Sequence, residues 1–315
     1  MAVSGMNNAC FKQAGKSSEF IRILDSFPCR RYSPATPHFL YRALLAEWRK
    51  NSNLRCSQRG QYPVAIGNVG LAARVEKEAS TAKQFNAFLA RYFYLCMSLV
   101  LAAVVISGFS RTANTNLFHA NPPRPLLLWI HGAAFSTWVI FFIVQSALVR
   151  ARRVGVHRLF GWFGAGLAAL MVMLGFTIAV VMARFDTFAL HQQGVASFMS
   201  VPFTDMILFG SCIALAIYWR KSPEYHRRLV FIATCLLMDA PFGRFDFMFN
   251  HSLFYVGLDC LIVLGVVRDL VVDKRVHKVY LYALPSLIVM QSFALYLWRI
   301  DPKWWQEITQ AIIGW

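Results

Sequence analysis

Charge is scarce in this chain, and acid scarcer still: 15% of its 315 residues are charged, with 15 acidic side chains against 32 basic ones. A soluble globular domain carries about 25% charged residues. The deficit is matched by long apolar runs and argues for a membrane class. Paired cysteines are missing as well. The seven cysteines make no CxxC and no metal-type spacing, and Cys96, Cys212, Cys235 and Cys260 fall inside apolar runs, where thiols behave as small hydrophobes. That gives no ground for a disulfide framework or a zinc site. The first residues hold no apolar core beside a small-residue cleavage site, so a secretory signal peptide is not expected. Nucleophile elbow, HExxH, P-loop and strand–helix GxGxxG are all absent from the sequence, which leaves no positive sign of a hydrolase or kinase.

What is present is positive charge, net +17. It does not point to nucleic acid, because beyond residue 80 the bases recur in short clusters between apolar runs, as in cytoplasmic loops facing anionic lipid headgroups. The chain reads as two parts. Residues 1–80 hold 12 Lys+Arg against 5 Asp+Glu without a persistent helical period, although Phe39–Trp48 could form a short helix. Three readings stay open for this part: a disordered basic tail, a targeting presequence, or a non-native extension translated ahead of an internal start near Val69, Leu71 or Val75. Residues 81–315 read as an all-α, polytopic transmembrane helical bundle.

Spanning helices need about 20 mainly apolar residues, and seven runs qualify as cores: Tyr92–Phe109, Leu126–Val149, Leu159–Ala183, Met206–Trp219, Leu229–Phe245, Leu253–Val267 and Val279–Trp298. Alternate loops are rich in base: Arg150, Arg152, Arg153 and Arg158; then Arg220, Lys221, Arg227 and Arg228; then Arg268, Lys274, Arg275 and Lys278. The positive-inside rule puts these in the cytoplasm. The expectation is a multi-pass protein of the plasma (inner) membrane, N-terminus cytoplasmic and C-terminus outside. Each rich loop ends in His and a base: His157-Arg158, His226-Arg227, His277-Lys278. One leading helix followed by three hairpins would produce that repeat. Small residues at Gly132 and Ser136, Gly161, Ala165 and Ala169, and Gly210 and Ala214 suit close helix approach.

Ionisable groups at membrane depth face the bundle interior and mark function. Asp239 and Asp259 fall at similar depth on consecutive spans, with Arg244 beyond a break at Pro241 and Gly243. They form a candidate substrate or proton site, although Asp239 before Pro241 also suits a helix cap, and Asp259 has no local partner. His131 and His251 lie near the outer span ends, His157 and His226 near the inner ones. Two such pairs would suit the axial ligation of haem b, whereas His277 is given no ligand role. The function classes that follow are a haem-binding or redox membrane protein, a small-molecule, lipid or proton binding or transport protein, and a scaffold.

The strings WIHGAAFSTW, VQSALVRARRVGVHRLFGW and PEYHRRLVFIATCLLMDAPFGRF resemble an uncharacterised bacterial membrane family, the domain-of-unknown-function 2306 group. The resemblance rests on His131, Gln145, His157, Arg158, Gly161, His226, Arg227 and Arg244, with Val156 where that family usually has Leu. It implies a helical membrane fold and brings no established activity.

Overall fold

The computed structural model describes the backbone of residues 65–192 and 194–314, and side chains from residue 74 onward. The chain separates into two units, Met1–Leu71 and Ala72–Trp315. Most of the expected N-terminal part, including Phe39–Trp48, lies outside the described residues. Within that part, however, helix α1 (Ala65–Phe109) has already begun.

The described residues are helical, with no strand among them. After α1 come a π-helical turn (Asn114–Phe118), α2 (Leu126–Arg150), α3 (Val154–Phe188), a 3-10 turn (Ala196–Met199), α4 (Ser200–Tyr218), α5 (Pro223–Leu236), α6 (Asp239–Phe242), α7 (Asp246–Asn250), α8 (Phe254–Val272), α9 (Lys278–Ile300) and α10 (Lys303–Ile313). Five helical stretches are long and apolar enough to cross a membrane: Arg74–Phe109, Leu126–Arg150, Val154–Phe188, Ala196–Tyr218 and Lys278–Ile300. The fifth and sixth expected spans, now α5–α6 and α8, fall outside that set.

The reason is visible in α5. Arg228, Leu229 and Phe231 to Met238 are buried. Phe231 packs against Phe93 and Tyr94 of α1, with ring centroids 5.7 and 5.9 Å away. On another side Trp138 of α2 donates to Thr234 Oγ1 at 3.3 Å, while α4, α8 and α9 also pack on α5. α5 ends after 14 residues, at Leu236, too short to span alone, and a helix walled by protein can also carry polar groups.

The expected break at Pro241 and Gly243 arrives earlier. α5 stops at Leu236 and the chain turns through Leu237 and Met238 before α6 starts at Asp239. Pro241 then sits in the first turn of α6, where its missing N–H costs nothing.

The hairpin reading meets the packing unevenly. α2 with α3, and α4 with α5, are close neighbours, whereas α8 packs chiefly on α5 and α6, and α9 chiefly on α4. The close approaches also differ from those expected. A Cβ at Gly132 or Gly161 would meet open space, and Gly210 comes only to 3.3 Å of Val172. The tight contacts between helices are Gly108 against the Pro241 backbone, Gly164 against Phe141, Gly175 against Met206, Gly257 against Phe242 and Gly265 against Tyr280. Spacing finds small residues, but it cannot say which of them face a neighbour.

Candidate functional site

Two carboxyl groups meet in the bundle interior. Asp205, on the first turns of α4, is 2% exposed. Tyr255 of α8 donates its hydroxyl to Asp205 Oδ1 at 3.1 Å. The carboxyl of Asp239 lies close enough for the two acids to act on each other, and Asp205 Oδ2 is buried without a hydrogen-bond partner. Ionised carboxylates present only lone pairs, so a hydrogen bond between the two forms only when one acid holds a proton.

The surroundings explain how each acid is held. Asp239 is the first residue of α6, whose N-cap is Met238, and no side chain makes a cap hydrogen bond there, so Asp239 does not take the cap position expected of an acid before a proline. Arg244 acts on Asp239 through its field, but its guanidinium lies over the Phe109 ring, 5.2 Å from the centroid. No ion pair of the two is found among the described residues. One helical turn beyond Tyr255 on α8, Asp259 accepts from Gln291 Nε2 of α9 at 3.2 Å. Asp205, Asp239 and Asp259 all lie close enough to act on the Tyr255 hydroxyl. The patch thus joins two of the expected acids to a third that the sequence reading missed. Asp205 stands one residue before the apolar core that begins at Met206, so it reads as a loop residue, although α4 begins five residues earlier, at Ser200.

A second polar cluster lies at the other end of α5. Arg228, 1% exposed, donates Nε and Nη2 to the two oxygens of Asp269 at 2.8 and 2.7 Å. It also reaches Glu224 at 2.6 Å and Asp273 at 3.0 Å. Arg268 bonds the same Asp269 and Asp273, at 2.9 and 2.6 Å, while Arg227 pairs with Glu224. Three cations thus meet three anions. Burial alone would raise the Asp269 carboxyl, but its hydrogen bonds from Arg228 and Arg268 prevail and hold it below the ordinary carboxylate value. Glu224 is lowered too, its burial outweighed by the Arg228 hydrogen bond and the charge of Arg227. In the sequence, Arg228 and Arg268 read only as positive-inside charge, and Arg227 as that and as the base of the His226-Arg227 repeat.

The four expected haem ligands separate by pair. At the inner ends, His157 of α3 and His226 of α5 face each other, ring centroids 6.3 Å apart and planes at 80°. His226 Nδ1 is 2.9 Å from the Ala216 carbonyl, and His157 Nδ1 is buried without a partner. Two imidazoles on one metal, each bonded at about 2 Å, bring their centroids to roughly 6 Å. The spacing of this pair fits. His131 instead stacks on Phe135 at 4.0 Å, with Nδ1 buried and unpartnered. His251 stacks on Phe247 at 4.6 Å and is tied to the Phe247 carbonyl. No ring contact joins His131 to His251 among the described residues. The third repeat histidine, His277, caps α9: its Nδ1 accepts from the Val279 N–H at 3.2 Å. Burial, then the charge of Arg228, push this imidazole below its ordinary value, which keeps the acceptor lone pair free. Elsewhere in the interior, both side-chain polar atoms of Gln145 are unpartnered.

Among the described residues no group of three or more His, Cys, Asp and Glu side chains is placed to hold a metal ion. No known protein-family model, curated protein or solved structure matches this chain.

Proposed function

We propose that this chain is a multi-pass protein of the plasma (inner) membrane that binds and passes protons through the Asp205–Asp239 pair. The carrying observation is the fully buried Asp205 carboxyl, bonded on one oxygen by Tyr255 and unpartnered on the other, with Asp239 close by and Asp259 tied to Gln291 one turn along α8. Such a pair exchanges its shared proton without leaving two like charges buried together. Seven spans, with the base-rich loops on the cytoplasmic side against anionic headgroups, belong to the same reading, as does the resemblance to the domain-of-unknown-function 2306 group.

The test is infrared difference spectroscopy of the protein in lipid nanodiscs, in H2O and D2O. A carbonyl band from a protonated carboxyl is expected at neutral pH, shifting in D2O and disappearing in both Asp205→Asn and Asp239→Asn. Proton flux into proteoliposomes should fall at least about tenfold in the same variants, as expected for loss of a proton-transfer group. A band that survives in both variants defeats the proposal.

A second reading has one observation in its favour, the spacing of His157 and His226. These residues would hold haem b iron, which would supply electron transfer. An oxidised-minus-reduced absorbance spectrum decides between the readings: a Soret band lost in both His157→Ala and His226→Ala supports haem, and a colourless protein excludes it.

A further inference from the structure

The end of the bundle opposite the base-rich loops carries arginines of its own. Arg111 follows α1, Arg124 precedes α2 and Arg244 follows α6. Gly108 packs against the Pro241 backbone, which lays the end of α1 beside the segment leaving α6. The two segments exchange aromatic contacts. The Arg244 guanidinium lies 5.2 Å from the Phe109 centroid, and that of Arg111 lies 4.4 Å from the Phe245 centroid. Arg124, 5.1 Å over the Phe185 ring, is close enough to act on Arg244, and Arg244 on His131.

The acids of this corner leave those arginines unsatisfied. Asp186 accepts from Arg124 Nη1 at 3.0 Å. Asp239 acts on Arg244 from deeper in the bundle, without an ion pair. Asp246, two residues beyond Arg244, is exposed and makes no ion pair among the described residues. The Arg111 and Arg244 guanidinium groups make no hydrogen bond or ion pair among the described residues. Each therefore keeps five N–H donors unspent. Beside Arg244, the imidazole of His131 stacks on Phe135, with Nδ1 buried and unpartnered.

The positive-inside rule keeps bases scarce at this end, so gathering three of them here has no topological reason. Nor are they placed to brace the fold by pairing, since only Arg124 has an acid partner. A guanidinium resting on a ring face keeps its N–H edge free, and Arg244 is exposed enough for a ligand to reach that edge.

We propose that this corner binds an oxyanion, a phosphate or carboxylate group, in the fork of Arg244, with Arg124, Arg111 and His131 around it. Two parallel N–H···O bonds match a guanidinium to such a group. Phe109 and Phe245 hold two of the forks without using their donors. The group can come from a soluble anion or from the phosphate of a lipid headgroup. Arg244 also borders the Asp205–Asp239 pair, but anion binding is read directly, so its test does not depend on proton transfer.

The experiment is calorimetric titration of inorganic phosphate, and of acetate, into the full-length protein in dodecyl maltoside at neutral pH. Binding of at least one is expected, weakened at least about tenfold by Arg244→Gln, as for loss of a charged bidentate pair. The Arg244 side chain has no polar partner to strand, so the variant should fold. Arg244→Lys keeps the charge and loses the fork, and should weaken binding severalfold. Exposed Lys303→Gln removes one charge elsewhere and should leave binding within about twofold. The titration is then repeated in phosphatidylcholine nanodiscs. A lost heat there identifies the headgroup phosphate as the occupant; an unchanged heat identifies a soluble anion. The proposal is overturned by binding of neither anion, by chloride binding as tightly, by Arg244→Gln binding like the parent, or by Lys303→Gln weakening binding as much as Arg244→Gln.

Discussion

At the scale of single residues, the most exacting position is Arg228. A buried guanidinium with five donors needs several acceptors, and it finds them in Asp269, Asp273 and both the side chain and carbonyl of Glu224. Arg228→Met should cost about 3–5 kcal/mol, because it takes two charged hydrogen bonds from the fully buried Asp269 and leaves it to Arg268 alone. Adding Asp269→Leu should recover part of that loss, since neither charge is then left alone; Arg268 still loses a partner, so recovery is incomplete. Thermal unfolding of the two variants in one detergent checks this, and a double variant less stable than the single would disprove the pairing. The acid side follows from the same contacts. Asp269 and Glu224 titrate lower in the folded chain than unfolded, so their contribution is complete above the unfolded values near pH 4 and is lost as pH falls through the folded ones. Unfolding temperature should therefore drop below about pH 4, and less steeply in the double variant. His277 has the milder role of an N-cap. His277→Ala should cost about 1 kcal/mol, measurable by the same unfolding assay, where a residue without a structural role would cost nothing. Its lowered imidazole means this contribution is present above about pH 6.5 and fades as pH falls below it.

At the scale of elements, the helices were legible from apolar runs, because each long run has to be covered by lipid or protein over its whole length. Acids inside those runs stand out as well, which is why Asp239 and Asp259 could be picked from sequence. Asp205 could not, since it lies beside a proline-containing segment, at the edge of the run that begins at Met206. Nor could the partners be read: Asp239 meets an acid 34 positions earlier, and Arg228 meets one 41 positions later. Such pairings depend on how helices rotate and tilt against each other, and one-dimensional spacing does not contain that. The helix α10 was missed for another reason: at 11 residues it is too short to register as a span. Glycine contacts show the same limit and give a test. Gly108 of α1 touches the Pro241 backbone, which has no rotamer to yield, while Gly132 of α2 faces open space. Gly108→Val should destabilise by about 1–3 kcal/mol through overpacking, and Gly132→Ala should stay within about 0.5 kcal/mol. Equal effects in thermal unfolding would mean that α1 does not lean on α6.

At the scale of the whole molecule, the number of crossings turns on α5–α6 and α8. Neither is a long apolar helix, yet both have the reach. From Pro223 to Phe242 the chain runs 20 residues with one turn between its helices, close to 30 Å at 1.5 Å per residue. α8, at 19 residues, is about as long. A bilayer core is about 30 Å thick, so each can cross it. Their polar residues are sheltered, because α5 is enclosed by α1, α2, α4 and α8, and Asp269 is fully buried. A hydropathy test assumes a helix facing lipid and undercounts helices that face only protein. In the proposed seven-span arrangement these two crossings add to the five apolar helices, and an odd number puts the two ends of the bundle on opposite sides. The proposed orientation follows the positive-inside rule, which puts the base-rich loops, Arg150, Arg152 and Arg153 after α2 and Lys274, Arg275 and Lys278 before α9, on the cytoplasmic side. A reporter inserted before Pro223 should therefore read cytoplasmic and one fused after Trp315 should read external. Neutralising Arg150, Arg152 and Arg153 together should mix the orientations, since Lys and Arg near span ends set them. If α5–α6 instead enters and leaves from one side, the Trp315 reporter reads cytoplasmic, α8 no longer needs to cross, and the Asp205–Asp239 pair would be reached from a single face of the membrane.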